Sequence, residues 1–197
     1  NSIPSYQGDG TSGVYIWGAQ LEQGSYATSY IPNYGTAAGI TRSAETANGA
    51  GDASTFNDSE GVLMAEISAL ANDGTSRRIS LSHNAADTNN RVTLEVDETT
   101  NTIKAFMSSG GVLVGSITVN NINQTNNNKI AVLYKANTFE IYINGFLLDT
   151  DYTIASLPIG LSRLQFEGAN GSFPFCGNVK QIQYFDSALN DSDLETL

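Results

Sequence analysis

Cysteine is nearly absent from this 197-residue sequence, where Cys176 stands alone. That excludes an internal disulfide and any zinc site built on several thiolates. Between Phe175 and Gly177, the lone thiol reads as a small buried hydrophobe. Histidine is as scarce, with His83 the single copy. Positive charge is thin: nine Lys and Arg face twenty Asp and Glu, for a net charge of −11. A surface of that sign is a poor partner for a nucleic-acid backbone or an anionic membrane, and the scattered acids serve solubility. No run of about 18 apolar residues is present, so no helical membrane span is expected. No basic-then-apolar leader opens the chain, and Asn1-Ser2-Ile3-Pro4 reads as the interior of a longer polypeptide.

What the sequence does have is alternation. In Lys129–Asp151, Ile130, Val132 and Tyr134 alternate with Ala131, Leu133 and Lys135, and Phe139, Ile141 and Ile143 alternate with Glu140, Tyr142 and Asn144. A period of two marks strands with two different faces. Asn144-Gly145 then supplies the pair best suited to the positive φ of a two-residue hairpin turn, and Phe146-Leu147-Leu148 starts a third strand. A three-stranded meander follows, and one of its faces needs a cover.

The same pattern recurs from Gly61 onward. Leu63, Ala65, Ile67 and Ala69 share a face of Gly61–Leu70, Ile79 and Leu81 point inward from Arg78–Ser82, and Val92, Leu94 and Val96 share a face of Arg91–Asp97. Ile103, Ala105 and Met107 do so in Thr102–Ser108; Val112–Val119 and Arg163–Glu167 are further strands, and Ser172–Phe185 holds one or two more. Asn190 is placed to cap a terminal helix with Asp191 and Asp193 in its first turn. Roughly ten strands recurring about every 8–12 residues, with no βαβ unit, predict a sandwich or barrel. The expected fold is all-β, a two-sheet antiparallel sandwich with one core between the sheets. Residues 37–60 lack periodicity and read as a connection. Ahead of them, Val14–Trp17 is a lone β-prone run, expected of the last strand of a preceding domain, and its Trp and Tyr side chains read as packing surface rather than a sugar platform. The domain division is therefore 1–36 and 37–197.

The segment GDGTSGVYIWGAQLEQGSYATSYIP (Gly8–Pro32) resembles a module of bacteriophage structural and tail proteins that closes one β-sandwich and leads into a second. Thr41-Arg42 followed by AETANGAGDASTF (Ala44–Phe56) resembles the linker of the same proteins. The remainder, through GVLMAEISAL, RRISLS, LSRLQFEG and GNVKQIQYFDSALNDSDLETL, resembles their laminin-G-like, concanavalin-A-like jelly rolls. The resemblance implies a tail-fibre or related adhesin on the virion surface, a homotrimeric setting among other virion proteins, and contact with host-surface polysaccharide. Fold alone does not fix function.

Three functions are weighed: a non-enzymatic glycan-binding module, a spacer or decoration domain without ligand, and a polysaccharide-degrading enzyme. A retaining glycosidase needs two carboxyls about 5–5.5 Å apart. Glu95 and Asp97 lie on one strand face about 6–7 Å apart along the strand, and Glu95-Val96-Asp97-Glu98 resembles the acidic strand motif of glucanases with this fold. Thr99, however, stands where a second catalytic Glu is expected. The plainer reading is a solvated strand end whose acids discourage edge pairing. A polysaccharide lyase needs a base, commonly His or Tyr, and groups that neutralise a uronate carboxylate. His83 sits at a loop start, where a lone histidine is usually incidental, and no nucleophile-elbow motif supports Ser-His-Asp chemistry. Arg77-Arg78 reads either as a clamp for an acidic sugar or as a solvated or cross-strand ion pair. Asp149-Thr150-Asp151 and Glu167–Gly171 offer the hard oxygen ligands that laminin-G-like domains use for calcium, without EF-hand spacing. No phosphate-cradling glycine loop occurs. No catalytic residue, metal ligand or cofactor is assigned, and the glycan-contacting residues are left open.

Overall fold

The computed structural model describes residues 7–23, 27–35, 39–41, 50–84 and 86–197. The chain divides into two compact units, Asn1–Ser43 and Ala44–Leu197. In the first, the described residues form no strand or helix. Val14, Tyr15, Ile16 and Trp17 are extended and exposed, because a single β-prone run has no ladder without a second strand beside it. Trp17 meets Tyr30 edge-to-face at 6.0 Å, and the Ile31 amide donates to Gln20 Oε1 at 2.7 Å. Residues 24–26 and 36, and residues 37–38 and 42–49 of the linker, lie outside the described residues, as do residues 1–6.

The second unit is built of ten strands and one short helix. In chain order they are β1 (Glu60–Ala69), β2 (Arg77–Ser82), β3 (Arg91–Val96), β4 (Thr102–Ser109), β5 (Val112–Asn120), β6 (Asn128–Lys135), β7 (Thr138–Ile143), β8 (Phe146–Asp151), β9 (Arg163–Gln165), β10 (Gly177–Phe185) and α1 (Asp191–Thr196). They form two five-stranded sheets, β10-β1-β6-β7-β8 and β5-β4-β3-β2-β9, with every described pairing antiparallel. This is the expected jelly-roll sandwich. Ser172–Phe185 yields one strand, within the one or two expected; it starts at Gly177, since the chain loops between Phe166 and Phe175 first.

The alternating residues meet in one core. Leu63, Ala65 and Ile67 of β1 join Ile79, Leu81, Leu94, Ile103, Met107, Val132 and Ile141, all buried. A second, smaller apolar cluster lies on the far side of the first sheet. There Val62, Met64, Ala131, Leu133 and Tyr142 are covered by Leu194 of α1 together with Phe185 and Leu189. The central strands of that sheet are therefore buried on both faces, which the polar face of a simple sandwich strand is not. Asn190 caps α1, its Oδ1 accepting from the Asp193 amide at 3.0 Å.

The meander turns where Asn144-Gly145 stands, with φ of 54° and 82°. Asn144 also ties the turn to β6: its amide donates to the Lys129 carbonyl at 2.8 Å, and its Oδ1 accepts from the Lys129 amide at 2.9 Å. A Cβ on Gly145 would stand 2.7 Å from the carbonyl oxygen of Glu195 in α1. Gly145→Ala should thus cost about 1–3 kcal/mol through backbone strain and displacement of the helix. Urea unfolding checks this; a midpoint equal to the parent's would show that neither the turn nor the helix resists the methyl group.

Candidate functional site

The outer face of the β5-β4-β3-β2-β9 sheet carries polar side chains in three cross-strand rows. Register places Arg78, Glu95, Lys104 and Thr118 side by side, then Gln165, Ser80, Thr93, Phe106 and Ser116, then Arg163, Ser82, Arg91 and Ser108. These rows follow from the inner alternation: once Ile79, Leu94 and Ile103 face the core, their neighbours face outward.

Much of this face is nevertheless shielded. Ser80, Ser82, Thr93, Glu95 and Asp97 are buried. Part of the cover is the 166–175 loop. Its Phe173 carbonyl accepts from the Arg78 amide at 3.0 Å, its Glu167 carbonyl from Ser80 Oγ at 2.7 Å, and its Gly168 carbonyl from Arg91 Nη1 at 2.7 Å. The loop holds Ala169 and Phe173 at φ of 70° and 55°, a region non-glycine residues seldom visit and one that clusters at functional sites.

Charge is paired across strands. Arg78 Nη2 meets Glu95 Oε1 at 3.3 Å and Lys104 Nζ meets Asp97 Oδ2 at 2.5 Å. Glu95 and Asp97 are thus not a solvated strand end, as their alternation with Val96 near a turn implies. They are buried, each beside a cation from a neighbouring strand, because the covering loop and the cross-strand register come from elsewhere in the chain. Nor do they form a free carboxylate couple of the glycosidase kind; Glu98 is exposed.

Arg91 makes no salt bridge among the described residues. Its guanidinium carbon lies 5.1 Å from the centroid of the Phe106 ring, while that of Arg78 lies 5.2 Å from the same ring and 3.9 Å from Phe173. Cation–π contact holds both guanidiniums in place. Burial, and then the charge of Arg78, push the Arg91 pKa down, with Glu95 and Asp87 acting the other way.

The remaining sequence candidates go elsewhere. Arg77 turns away from Arg78 and grips Asp73 with Nη2 at 2.9 and 2.8 Å. His83 is exposed, its Nδ1 2.9 Å from the Gly160 carbonyl. Asp151 accepts from the Thr153 amide and hydroxyl at 2.8 and 2.6 Å, which lowers its pKa. Among the described residues no three His, Cys, Asp or Glu gather as a metal-holding group. Cys176 is exposed rather than buried, because Phe175 takes the place against the core. Arg91, Phe106 and Phe173 are the participants that alternation alone does not single out; their spacing across β3, β4 and a distant loop appears only with the register.

Two depressions lie off this face. One of about 340 Å³, in the first unit, is lined by Gln20, Leu21, Glu22 and Ile40 among others. The other, about 270 Å³, includes Glu66, Asn127, Lys129 and Glu195, and its Glu66 is engaged by Lys180 at 2.7 Å and Asn127 at 2.5 Å.

No family model matches the sequence. No curated protein matches it either. Among solved structures, the chain is similar to the CBM40 of the Ruminococcus gnavus IT-sialidase bound to α2,3-sialyllactose, with a TM-score of 0.59 and 12% identity over 71% of this chain and 83% of that one. It is similar to the NanB sialidase of Streptococcus pneumoniae, with a TM-score of 0.58 and 14% identity, covering 74% of this chain and 25% of that one. The heptameric SAP-like pentraxin of Limulus polyphemus gives a TM-score of 0.53 at 12% identity over 70% and 68%. At these identities the likeness establishes the jelly-roll fold.

The Asp97 pairing has a pH signature. Burial, the largest influence, raises its pKa, but the Lys104 and Thr99 hydrogen bonds and the Lys104 charge outweigh it and leave the pKa below the ordinary 3.8. A folded pKa below the unfolded one contributes stability above the unfolded value, and that contribution is lost as pH falls through the folded value. Asp97→Asn should be less stable than the parent at neutral pH, with the gap narrowing as the pH drops below 3.8. Thermal unfolding across that range measures it, and a gap indifferent to acid would deny the ion pair its role.

Proposed function

We propose that the sandwich is a non-catalytic carbohydrate-binding module of a virion surface protein, such as a bacteriophage tail fibre, and that it contacts host-surface polysaccharide. The contact surface is the part of the outer face of the β5-β4-β3-β2-β9 sheet that stays accessible, around Arg91, Lys104, Phe106, Ser116 and Thr118. The observation that carries this reading is that surface itself: Arg78, Arg91 and Lys104 with the exposed Ser116 and Thr118 around Phe106, on a sandwich of the same fold as a module that holds sialyllactose. Polar side chains with an aromatic among them suit sugar hydroxyls and a sugar's apolar face. The absence of turnover is supported by the state of the two acids there, since Glu95 and Asp97 are each engaged by a cation. The phage setting rests on the sequence resemblance. It places the module in a homotrimeric fibre beside other virion proteins, where copies multiply weak single contacts.

The test is a multimerised form of the chain on a glycan array and on host cells, with reducing-sugar and unsaturated-uronate release followed in parallel. Binding without release is expected. Release of sugar that disappears in Glu95→Gln would make the protein an enzyme; silence on every glycan would leave a spacer domain. Probing intact particles with an antibody to this chain tests the virion location.

A further inference from the structure

We infer that the glycan bound at this face bears a carboxylate, received between the guanidiniums of Arg78 and Arg91 over the Phe106 ring. This rests on the glycan-binding reading above and narrows it to acidic sugars.

Three observations lead there. First, Arg91 makes no salt bridge among the described residues, whereas Arg78 is paired with Glu95 and Lys104 with Asp97; Glu95 and Asp87 act on Arg91 through their charge alone. Cations are few in a chain of net charge −11. Second, donors outnumber acceptors. A guanidinium offers about five N–H donors; Arg78 uses its side chain on Glu95 at 3.3 Å and Arg91 on the Gly168 carbonyl at 2.7 Å. The Nε–H of Arg78 and that of Arg91 are buried without an acceptor among the described residues. Buried donors left unmatched cost free energy, and an incoming anion removes that cost. Third, two like charges are held against a single ring, at 5.2 and 5.1 Å from its centroid, with Phe173 stacked on one of them. The two like charges act on each other, the charge of Arg78 lowering the pKa of Arg91, and an anion between them relieves that repulsion.

A carboxylate supplies what is missing. Its two oxygens carry about four lone-pair sites, and its charge is opposite to that of Arg91, which no salt bridge among the described residues engages. The planar guanidinium fork is matched to that shape. Around the pair, Ser116 beside Phe106 and Thr118 beside Lys104 are exposed hydroxyls on the same face, placed for the neutral hydroxyls of the same or the next sugar.

The experiment is titration calorimetry of the whole chain with sialyllactose and trigalacturonate as carboxylated probes, a sulfated disaccharide, and lactose as the neutral probe. Arg91→Gln is the informative variant, because it leaves the Arg78–Glu95 pair intact and strands no buried acid. Its thermal unfolding confirms that it folds. The expected result is binding of at least one carboxylated probe that weakens by about tenfold or more in Arg91→Gln, as loss of a charge-assisted hydrogen bond requires. Partial recovery in Arg91→Lys and weakening at high salt should accompany it. Lactose binding equal to that of the acidic probes, or an Arg91→Gln protein that binds them as well as the parent, overturns the inference while leaving the glycan-binding reading intact. Preference for the sulfated probe over both carboxylated ones overturns the carboxylate assignment. Failure to bind any glycan, here and as multimer on the array, removes the reading itself.

Discussion

Apolar side chains on the facing surfaces of two sheets hold this molecule together, and everything else about it is arranged around that contact. Leu63, Ile79, Leu94, Ile103, Val132 and Ile141 come from six strands and share one buried volume. Their burial removes apolar surface from water at roughly 25 cal/mol per Å². Because a strand alternates, committing these residues inward also commits their neighbours outward. The polar rows of Arg78, Glu95 and Lys104 are therefore a by-product of the core before they are anything else.

The two outer faces then diverge. That of the β10-β1-β6-β7-β8 sheet is apolar in its middle and is sealed by Leu194 of the terminal helix. That of the other sheet is polar and is partly roofed by a loop that brings backbone carbonyls to Ser80 and Arg91. Desolvation under this roof makes each charge dependent on a partner, since an unpaired buried charge is expensive. Glu95 and Asp97 have such partners, whereas Arg91 has an aromatic ring and one carbonyl. A charge on such a face is screened less than one on a uniformly wet surface.

Much of the fold is legible in the sequence because alternation and turn chemistry are local. The inward residues of β1 to β4 and of the meander follow from a period of two, and Asn144-Gly145 and Asn190 mark a turn and a cap by their own side-chain and backbone preferences. The small core under α1 is harder to see. Ala131 and Leu133 look like the free face of a strand until Leu194, some sixty residues away, is known to lie on them. The candidate site is harder again. Glu95 and Asp97 stand out as acids on a strand, yet whether they are wet or buried depends on Arg78, Lys104 and a loop after β9. Arg91 and Phe106 carry no motif at all; only the pairing of β3 with β4 makes them neighbours. Cys176 shows the same limit on a smaller scale, since adjacent residues at a strand start choose their faces by what Phe175 can reach.

The pairing of β1 with β10 carries a consequence for how the chain reaches this state. Val62 lies opposite Phe185 and Leu81 opposite Leu164, so each sheet is closed by a partner far along the chain. Long loops must be closed before such contacts return any free energy, and folds dominated by them form in milliseconds to seconds. The β6-β7-β8 meander, joined by tight turns, has no such delay. During synthesis the edge of β1 that β10 will occupy stays open until nearly the whole unit has been made, and only then does the apolar interior become inaccessible to other chains.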